Sequence, residues 1–261
     1  MKEMLSELIQ YKHLLFMLTW RDIKIKYKQS IMGFMWAIFM PMVVVLAGVI
    51  VKKAFAILSG NPMDINQIAT VSVKSIPWAF FVGSIRFATV SLTGNTNLVT
   101  KIYFPREVFP LSAIIANLFD FCIASFVLIV ILTIAGVGIS IQLLWVPLLL
   151  IILILLTVSM GFFLSCANLF FRDVKYIVEV ILNFGIFFTP VFYEAQMFGK
   201  WEKVILLNPL GPILESLNSV IVFHQSPNLF WLAYSALWAV IGVLVSWTTF
   251  HRAEFSFAEN I

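Results

Sequence analysis

A seven-residue connection between two apolar segments combines a cation, two aromatic rings, a proline and an Arg-Glu pair. Its sequence is Lys101-Ile102-Tyr103-Phe104-Pro105-Arg106-Glu107. Proline fixes its own φ and biases the residue before it toward an extended backbone, so the connection is expected to hold one shape. Such side chains, held in one shape, are suited to binding a partner. We therefore predict a docking element that presents Phe104, Arg106 and Glu107 outward.

Three charged residues, Arg86, Asp120 and Glu179, lie inside long apolar segments. An uncompensated charge at the centre of a bilayer costs at least about 2.5–3.5 kcal/mol on insertion scales, so each is expected to have a partner or to face water. The long Arg86 side chain can reach toward Asp120, and Glu179 is the other candidate partner. These charges either fix the register of packed helices or line a hydrated conduit. A proton relay is less favoured, because the acids are few and no histidine lies among them.

Four cations fall in a short stretch ahead of the first apolar segment. They are Arg21, Lys24, Lys26 and Lys28. Basic residues beside a membrane set its topology and also attract anionic lipid headgroups. Two interpretations are compatible: a cluster that sets topology, and a contact for headgroups or for a lipid-linked diphosphate.

Residue types that often catalyse reactions or hold metals are sparse. Cys122 and Cys166 lie inside apolar segments, and we interpret them as small buried residues rather than a disulfide or a metal pair. The three histidines lie far apart, without the spacing of metal ligands. The sequence has neither a phosphate-binding loop nor a dinucleotide-binding glycine pattern. We expect this chain to bind no metal or cofactor and to receive its energy from a partner.

The composition indicates a membrane protein. Of 261 residues, 61% are hydrophobic and only 11% are charged, too few charges to cover a soluble domain. A helix needs about 20 apolar residues to cross the hydrocarbon layer. The sequence therefore predicts an all-α integral membrane protein of one domain. Its six predicted transmembrane helices lie at residues 31–52, 76–94, 108–136, 142–171, 174–193 and 229–250.

Charge and amphipathicity assign the remaining segments. Residues 3–20 have an apolar stripe and predict an N-terminal interfacial helix within a cytoplasmic segment, residues 1–30. Most cations fall in this and other inner segments, so the positive-inside rule places both termini, including a tail at 251–261, in the cytoplasm. Residues 194–228 are too polar to span yet rich in large aliphatic residues. They predict two short outer helices, re-entrant or gate-like, joined near Pro209.

Aromatic residues make up 15% of the chain. Aromatic residues cluster on the fifth and first predicted spans, at Phe184, Phe187, Phe188, Tyr193, Phe34 and Phe39. Aromatic faces suit the apolar faces of sugar rings, so these residues are candidates to line a conduit. The alternative is contact with lipid or with neighbouring helices, where most aromatic residues of spanning helices lie.

Short motifs occur one after another along nearly the whole chain. They are Trp20-Arg21-Asp22, Tyr27-Lys28-Gln29-Ser30, Gly33 and Trp36 before Pro41, Asn97-Leu98-Val99, Lys101, Phe104-Pro105-Arg106-Glu107 with Pro110, Asn168-Leu169-Phe170-Phe171-Arg172-Asp173-Val174, Thr189-Pro190-Val191 with Tyr193, Asn208-Pro209, and Phe255-Ser256-Phe257-Ala258-Glu259. Each motif alone is weak. In this order and spacing they resemble the membrane subunits of ABC transporters that export polysaccharides.

The resemblance implies a homodimer of six-helix subunits in the bacterial inner membrane, bound to two copies of a cytoplasmic ABC ATPase. ATP and Mg²⁺ would belong to that ATPase. The implied cargo is a lipid-linked polysaccharide, with O-antigen ahead of capsule or teichoic acid. Membrane lipids are the other expected contacts, and no nucleic acid is expected.

The resemblance also assigns roles to the inner-surface segments. Residues at about 96–107 would form a coupling helix seated in a cleft of the ATPase. Phe104 would be its buried anchor and Arg106 and Glu107 its charged contacts. The neighbouring coupling residues would be Lys101 and Pro105, and a second inner contact would be the turn at Arg172 and Asp173.

Three other functions compete with polysaccharide export. A membrane-embedded transferase would need acids, histidines or metal ligands clustered at one membrane face, and here they are scattered. An ion-coupled carrier built on Arg86, Asp120 and Glu179 would have no use for a stiff docking connection. An ABC exporter of drugs or small lipids is nearest in kind, but the docking motif and the amphipathic outer segment favour a polymer.

Overall fold

The computed structural model describes residues 2–28, 32–59, 64–101 and 104–257, and these form helices and turns without a strand. Eleven α-helices occur in these ranges. They are α1 (Lys2–Gln10), α2 (Lys12–Tyr27), α3 (Trp36–Ser59), α4 (Ile65–Val90), α5 (Thr96–Lys101), α6 (Val108–Ile134), α7 (Val146–Phe170), α8 (Val174–Phe188), α9 (Glu202–Leu206), α10 (Leu210–Ile221) and α11 (Leu229–Ala253).

Five of these helices, α3, α4, α6, α7 and α11, are long and apolar enough to cross a membrane. The chain is therefore a multi-pass helical membrane protein. The predicted fifth span, 174–193, is only partly helical, because α8 ends at Phe188. Its 15 residues extend about 22 Å, less than the hydrocarbon layer of about 30 Å. The predicted count of six spanning helices is thus not confirmed.

The bundle has two ends. We call the terminal end the one that holds α1, α2, residues 91–101, 104–107 and 254–257, and the turn between α7 and α8. The loop end is the one that holds residues 135–145 and 189–228. A buried cluster at the terminal end joins Leu18, Val99, Phe109, Phe162 and Phe250. The first and last described segments therefore meet at one end of the bundle.

Helix α4 lies at the centre of the bundle. Its apolar stretch is 72% buried, against 17–33% for the other four spanning helices. The run from Ala69 to Val73 has small and β-branched side chains, which allow neighbouring helices to approach closely. At its start, the Asp64 carboxylate accepts a hydrogen bond from the Ile65 N–H at 2.7 Å. The predicted start of this span at residue 76 is therefore wrong.

Helix α2 lies along α6. Ser112 donates a hydrogen bond to Asp22 at 3.0 Å, and Lys26 contacts Asn117 and Asp120, so the contacts advance in the same direction on both helices. The 27 residues of α6 extend about 40 Å, which is longer than the hydrocarbon layer. The predicted helix at 3–20 is interrupted at Tyr11, and its position in the headgroup plane is not confirmed.

The loop end contains two short helices, α9 and α10, as expected for residues 194–228. The chain turns between them at Asn208, whose side chain binds the Thr189 hydroxyl at 2.8 Å. Most of α10 is buried, including Leu210, Ile213 and Leu214. This helix therefore belongs to the core of the bundle and is not a surface flap.

The close contact between α7 and α11 depends on a glycine. A Cβ atom at Gly242 would overlap the Ser159 hydroxyl on α7. Glycine at this position therefore lets the two backbones approach, as small residues do between membrane helices. A glycine with open space around it, Gly94, offers a comparison.

We expect Gly242→Val to lower the stability of the folded protein by about 1–3 kcal/mol, because the added atoms force α11 away from α7. The measurement is the thermal unfolding midpoint in detergent. Gly94→Val, at a site with room for a side chain, is the matched control. Equal midpoints for the two variants would contradict the close-contact role of Gly242.

Candidate functional site

An open cleft of about 450 Å³ lies between α2, α3, α4 and α6. This is the volume of a small-molecule or headgroup site. Its charged lining comes from Lys26, Arg86 and Asp120. Aromatic rings form much of the apolar lining, and they come from Trp36, Trp78, Phe80, Phe87 and Phe121. The cleft therefore offers both ion pairs and aromatic faces to a ligand.

Asp120 is the polar centre of this cleft. Its carboxylate accepts from the Lys26 ammonium at 2.9 Å and from the Tyr27 hydroxyl. Lys26 also donates to the Asn117 side chain at 2.8 Å and lies over the Phe87 ring. Lys26 therefore neutralises a carboxylate on α6, and its contact with a headgroup or a lipid-linked diphosphate stays a prediction.

Tyr27 remains a neutral donor in this arrangement. Burial raises the pKa of its phenol, and the hydrogen bond to Asp120 and the charge of that carboxylate raise it further. An ionised phenolate beside Asp120 would repel it, whereas the neutral hydroxyl stabilises it. Tyr27 and Lys26 thus hold α2 against α6.

Arg86 binds Glu179, the second of its two predicted candidates, and not Asp120. The guanidinium of Arg86 on α4 lies 2.7 Å from the Glu179 carboxylate on α8, and it also approaches Asn183 at 3.4 Å. The two side chains are 44% and 45% exposed. A pair this open would be unfavourable against hydrocarbon, so water or another protein surface is expected to cover it.

The other three basic residues of the N-terminal segment differ in their contacts and in their exposure. Arg21 binds its neighbour Asp22 at 2.8 Å, and Lys24 lies over the Trp20 ring at 5.5 Å. Lys24 and Lys28 are exposed. Of the four predicted headgroup contacts, these two are the most accessible.

The predicted docking connection faces inward in part. Phe104 is 6% exposed and lies against Phe109, and Glu107 is 2% exposed and contacts His251. The prediction that both are presented outward is therefore wrong, because α11 and the residues after it cover them. Pro105 is half-buried, and the side chain of Lys101 lies outside the described part of the chain.

Arg106 fastens this connection to the C-terminal segment. Its backbone N–H donates to the Glu254 carboxylate at 3.1 Å. Its guanidinium donates to the main-chain oxygens of Glu254 and Val99 and lies over the Phe257 ring. The stiffness predicted from Pro105 is thus reinforced by contacts across 148 residues of sequence.

The turn between α7 and α8 is an exposed part of the terminal end. Arg172 and Asp173 are both exposed. Buried Asn168 supports the turn by donating to the Thr93 hydroxyl and accepting from the Lys175 N–H at 3.1 Å. The second predicted contact is therefore accessible and held by a polar side chain beneath it.

Four of the six aromatic residues predicted to line a conduit are exposed, and none of these four lines the cleft. Phe39 and three residues of α8, Phe184, Phe187 and Phe188, are exposed. Tyr193 donates to the Phe187 carbonyl at 2.9 Å. The side chain of Phe34 lies outside the described part of the chain.

The two cysteines differ in exposure. Cys122 is exposed, in contrast to its prediction, whereas Cys166 is buried.

Sequence reasoning missed an ion pair near the loop end. Lys74 on α4 is 0% exposed and lies 2.9 Å from Glu215 on α10. It also donates to the Tyr193 carbonyl at 3.0 Å, while Glu215 accepts from the Ala195 N–H. Beside them, Lys52 lies 4.0 Å from Glu194. The apolar periodicity of residues 65–76 was the signal that Lys74 lies within a helix.

Comparison with known proteins matches the model of the family described as "ABC-2 type transporter" to residues 13–222. A Myxococcus xanthus protein named O-antigen export system permease protein RfbA is 26% identical over 264 residues, covering all of both chains. Two Klebsiella pneumoniae proteins of the same name are 26% and 27% identical over 248 residues, 94% of each chain. The family match includes the cleft and the Lys26–Asp120, Arg86–Glu179 and Lys74–Glu215 pairs.

We expect Lys74→Met to destabilise the protein by about 3–5 kcal/mol, because it removes the ammonium group that neutralises the Glu215 carboxylate. Adding Glu215→Met should restore much of the loss, since apolar residues can replace a buried pair. Denaturation in detergent of the wild type, both single variants and the double variant measures the coupling. Lys200→Met, at an exposed lysine, is the control. Strictly additive losses would exclude the pairing.

Arg86 should couple energetically to Glu179 and not to Asp120. Double-variant cycles with Arg86→Met are expected to give a coupling of at least about 0.5 kcal/mol with Glu179→Gln and none with Asp120→Asn. Both cycles use the same unfolding assay, so the second serves as the control for the first. The reverse pattern would contradict the geometry of the α4–α8 contact.

Proposed function

The chain belongs to the ABC-2 type transporter family, and we propose that it is the membrane subunit of an ABC exporter for a lipid-linked polysaccharide. O-antigen is the first cargo to test. The chain would work in the bacterial inner membrane with both termini in the cytoplasm. It would perform no catalysis itself, and ATP and Mg²⁺ would bind to a separate ATPase.

End-to-end similarity to permeases of one named function carries this proposal. The Myxococcus xanthus relative is covered over its whole length, so the match includes both the spanning helices and the short segments at each end. The same name recurs for the Klebsiella pneumoniae relatives. A match confined to apolar helices would be much weaker support for cargo.

The exposed ion pair supports a homodimer with a conduit between its subunits. Helix α8 buries only Val178 and Leu182, and the apolar stretch of α3 is only 17% buried. The Arg86–Glu179 pair lies beside these poorly covered helices. In our proposal a second copy and water cover this face. Phe39 and the exposed aromatic residues of α8 would then contact the polymer as it passes.

The cleft would serve the lipid-linked end of the cargo. Its volume of about 450 Å³ suits a headgroup and not a polymer. Exposed Lys24 and Lys28 lie on or next to α2, which forms one wall. Cations there can attract a diphosphate, and the aromatic lining can contact the first sugar.

The terminal end would bind the ATPase. The exposed polar residues there include Arg172 and Asp173 in the α7–α8 turn and Thr96, Asn97 and Thr100 on α5. Phe104 and Glu107 would act from beneath this surface, because they fix the segment to α11. Closure of two nucleotide-bound ATPase subunits would then be transmitted to α6 and α11. This mechanism couples two states of the bundle to two states of the ATPase.

The cleft also supports a second candidate function. A headgroup-sized site lined by aromatic rings and ion pairs fits a small amphipathic molecule, so export of a drug or small lipid is the alternative. Both functions require the ATPase. They differ in whether an exported polymer or an exported small molecule accompanies ATP hydrolysis.

We expect this chain, co-expressed with its ATPase, to restore surface polysaccharide to a strain whose own exporter is deleted. Polymer is measured at the cell surface and as lipid-linked material retained inside. An ATPase variant that binds but does not hydrolyse ATP is the control. Efflux of small amphiphiles without polymer export would favour the second candidate. Export by the purified chain without an ATPase would contradict both.

The proposed docking surface for the ATPase, the exposed polar residues of the terminal end, can be tested separately. Arg172→Ala with Asp173→Ala should reduce co-purification of the ATPase, because both exposed charges would be lost from the terminal end. Lys200→Ala with Lys203→Ala removes two exposed charges at the loop end and should leave the complex intact. Equal recovery of ATPase with both double variants would place the docking surface elsewhere.

A further inference from the structure

Three side chains that can bind a metal meet at the terminal end, where sequence spacing indicated no metal site. His251 and Glu254 lie three residues apart at the end of α11 and in the turn after it. Glu107, 144 residues from His251 in sequence, comes from the connection before α6. One ligand atom of each lies within 4.8 Å of the others. From this juxtaposition we propose that Glu107, His251 and Glu254 form a binding site for a divalent transition metal, with Zn²⁺ the ion to test.

The spacing of the ligand atoms fits zinc. The His251 Nδ1 atom is 3.3 Å from Glu107 Oε1 and 3.5 Å from Glu254 Oε2. Both distances are long for N–H···O hydrogen bonds, which lie at about 2.7–3.2 Å. Ligand atoms of tetrahedral zinc lie about 3.3 Å apart, because each is about 2.0–2.1 Å from the ion. The two His251–carboxylate separations are close to that edge length, and the two carboxylates lie within 4.8 Å of each other.

The hydrogen bonding of Glu107 is incomplete without a cation. Its side chain is 3% exposed, and its Oε2 atom has no hydrogen-bond partner among the described residues. Oε2 is the second oxygen of the carboxylate whose Oε1 faces His251. A buried carboxylate oxygen without a partner is unfavourable, and a bound ion with a coordinated water would satisfy it.

The local charge also calls for a cation. Two carboxylates face a single imidazole, whose Nδ1 can donate at most one proton. Arg106 is the nearby positive charge, but its guanidinium donates to the main-chain oxygens of Glu254 and Val99. Only its backbone N–H reaches a carboxylate, through Glu254 Oε1. The second oxygen of Glu254 remains available beside His251.

Access and geometry allow an ion to enter. His251 is 36% exposed, whereas Glu107 lies beneath it. Imidazole and carboxylate ligands suit Zn²⁺ and its first-row neighbours. An ion bound here would join the end of α11 to the start of α6, so it would stabilise the inner layer of the proposed docking surface.

Metal binding is tested on the full-length chain in nanodiscs, purified without a polyhistidine tag and treated with a chelator. Calorimetric titration with ZnCl₂ should show one equivalent per chain, and Co²⁺ should give a ligand-field absorption band. His251→Ala and Glu254→Gln should each weaken binding at least about tenfold, since even loss of a supporting hydrogen bond commonly has that effect. His13→Ala, at an exposed histidine on α2, should bind as the wild type does.

A second measurement protects the test against misfolded variants. Glu107→Gln keeps the size of the side chain, and all variants are compared by circular dichroism and gel filtration before titration. Zinc should raise the unfolding temperature of the wild type and of His13→Ala only. Absence of Zn²⁺ binding by the wild type, or equal binding by His251→Ala, would overturn the proposal.

Discussion

A charge within the bilayer needs a partner, and this constraint organises the bundle. Three ion pairs of the described residues satisfy it, and each joins α4 or α6 to a shorter helix. They are Lys26–Asp120 between α2 and α6, Arg86–Glu179 between α4 and α8, and Lys74–Glu215 between α4 and α10. Removing one member would leave the other without its counter-charge, so each shorter helix is held where its partner lies.

The three pairs differ in their contact with water, and this difference suggests different roles. Lys74 is fully buried, and Lys26 and Asp120 are about one-fifth exposed, whereas Arg86 and Glu179 are nearly half exposed. A buried charge resists exchange because separation would remove its counter-charge at low dielectric. A water-accessible pair can open at little cost. The α4–α10 contact is therefore suited to a fixed core, and the α4–α8 contact to a surface that changes partners.

The bounds of the helices were predicted from the sequence better than the contacts between the helices. The bounds of α6, α7 and α11 were close to those observed, because a long apolar run has one interpretation in a membrane protein. The start of α4 was missed, since Asn66, Gln67 and Lys74 lower its apolar character, and it is the packing of other helices against it, among them α3 and α10, that makes that segment a core helix. Arg86 had two acidic partners within reach. The rotation of each helix decides between them, and a single sequence does not specify that rotation.

The orientation of the docking connection could not be predicted from the sequence either, because its contacts come from distant parts of the chain. Its rigid backbone was predicted from Pro105. Its orientation depends on contacts with Glu254 and Phe257, which lie near the other end of the sequence. Because Glu107 directly precedes α6 and contacts His251 on α11, displacement of this connection would act on both helices together. Helix α6 in turn holds α2 through Asp120. A force applied at the terminal end would therefore reach α6, α11 and α2 together.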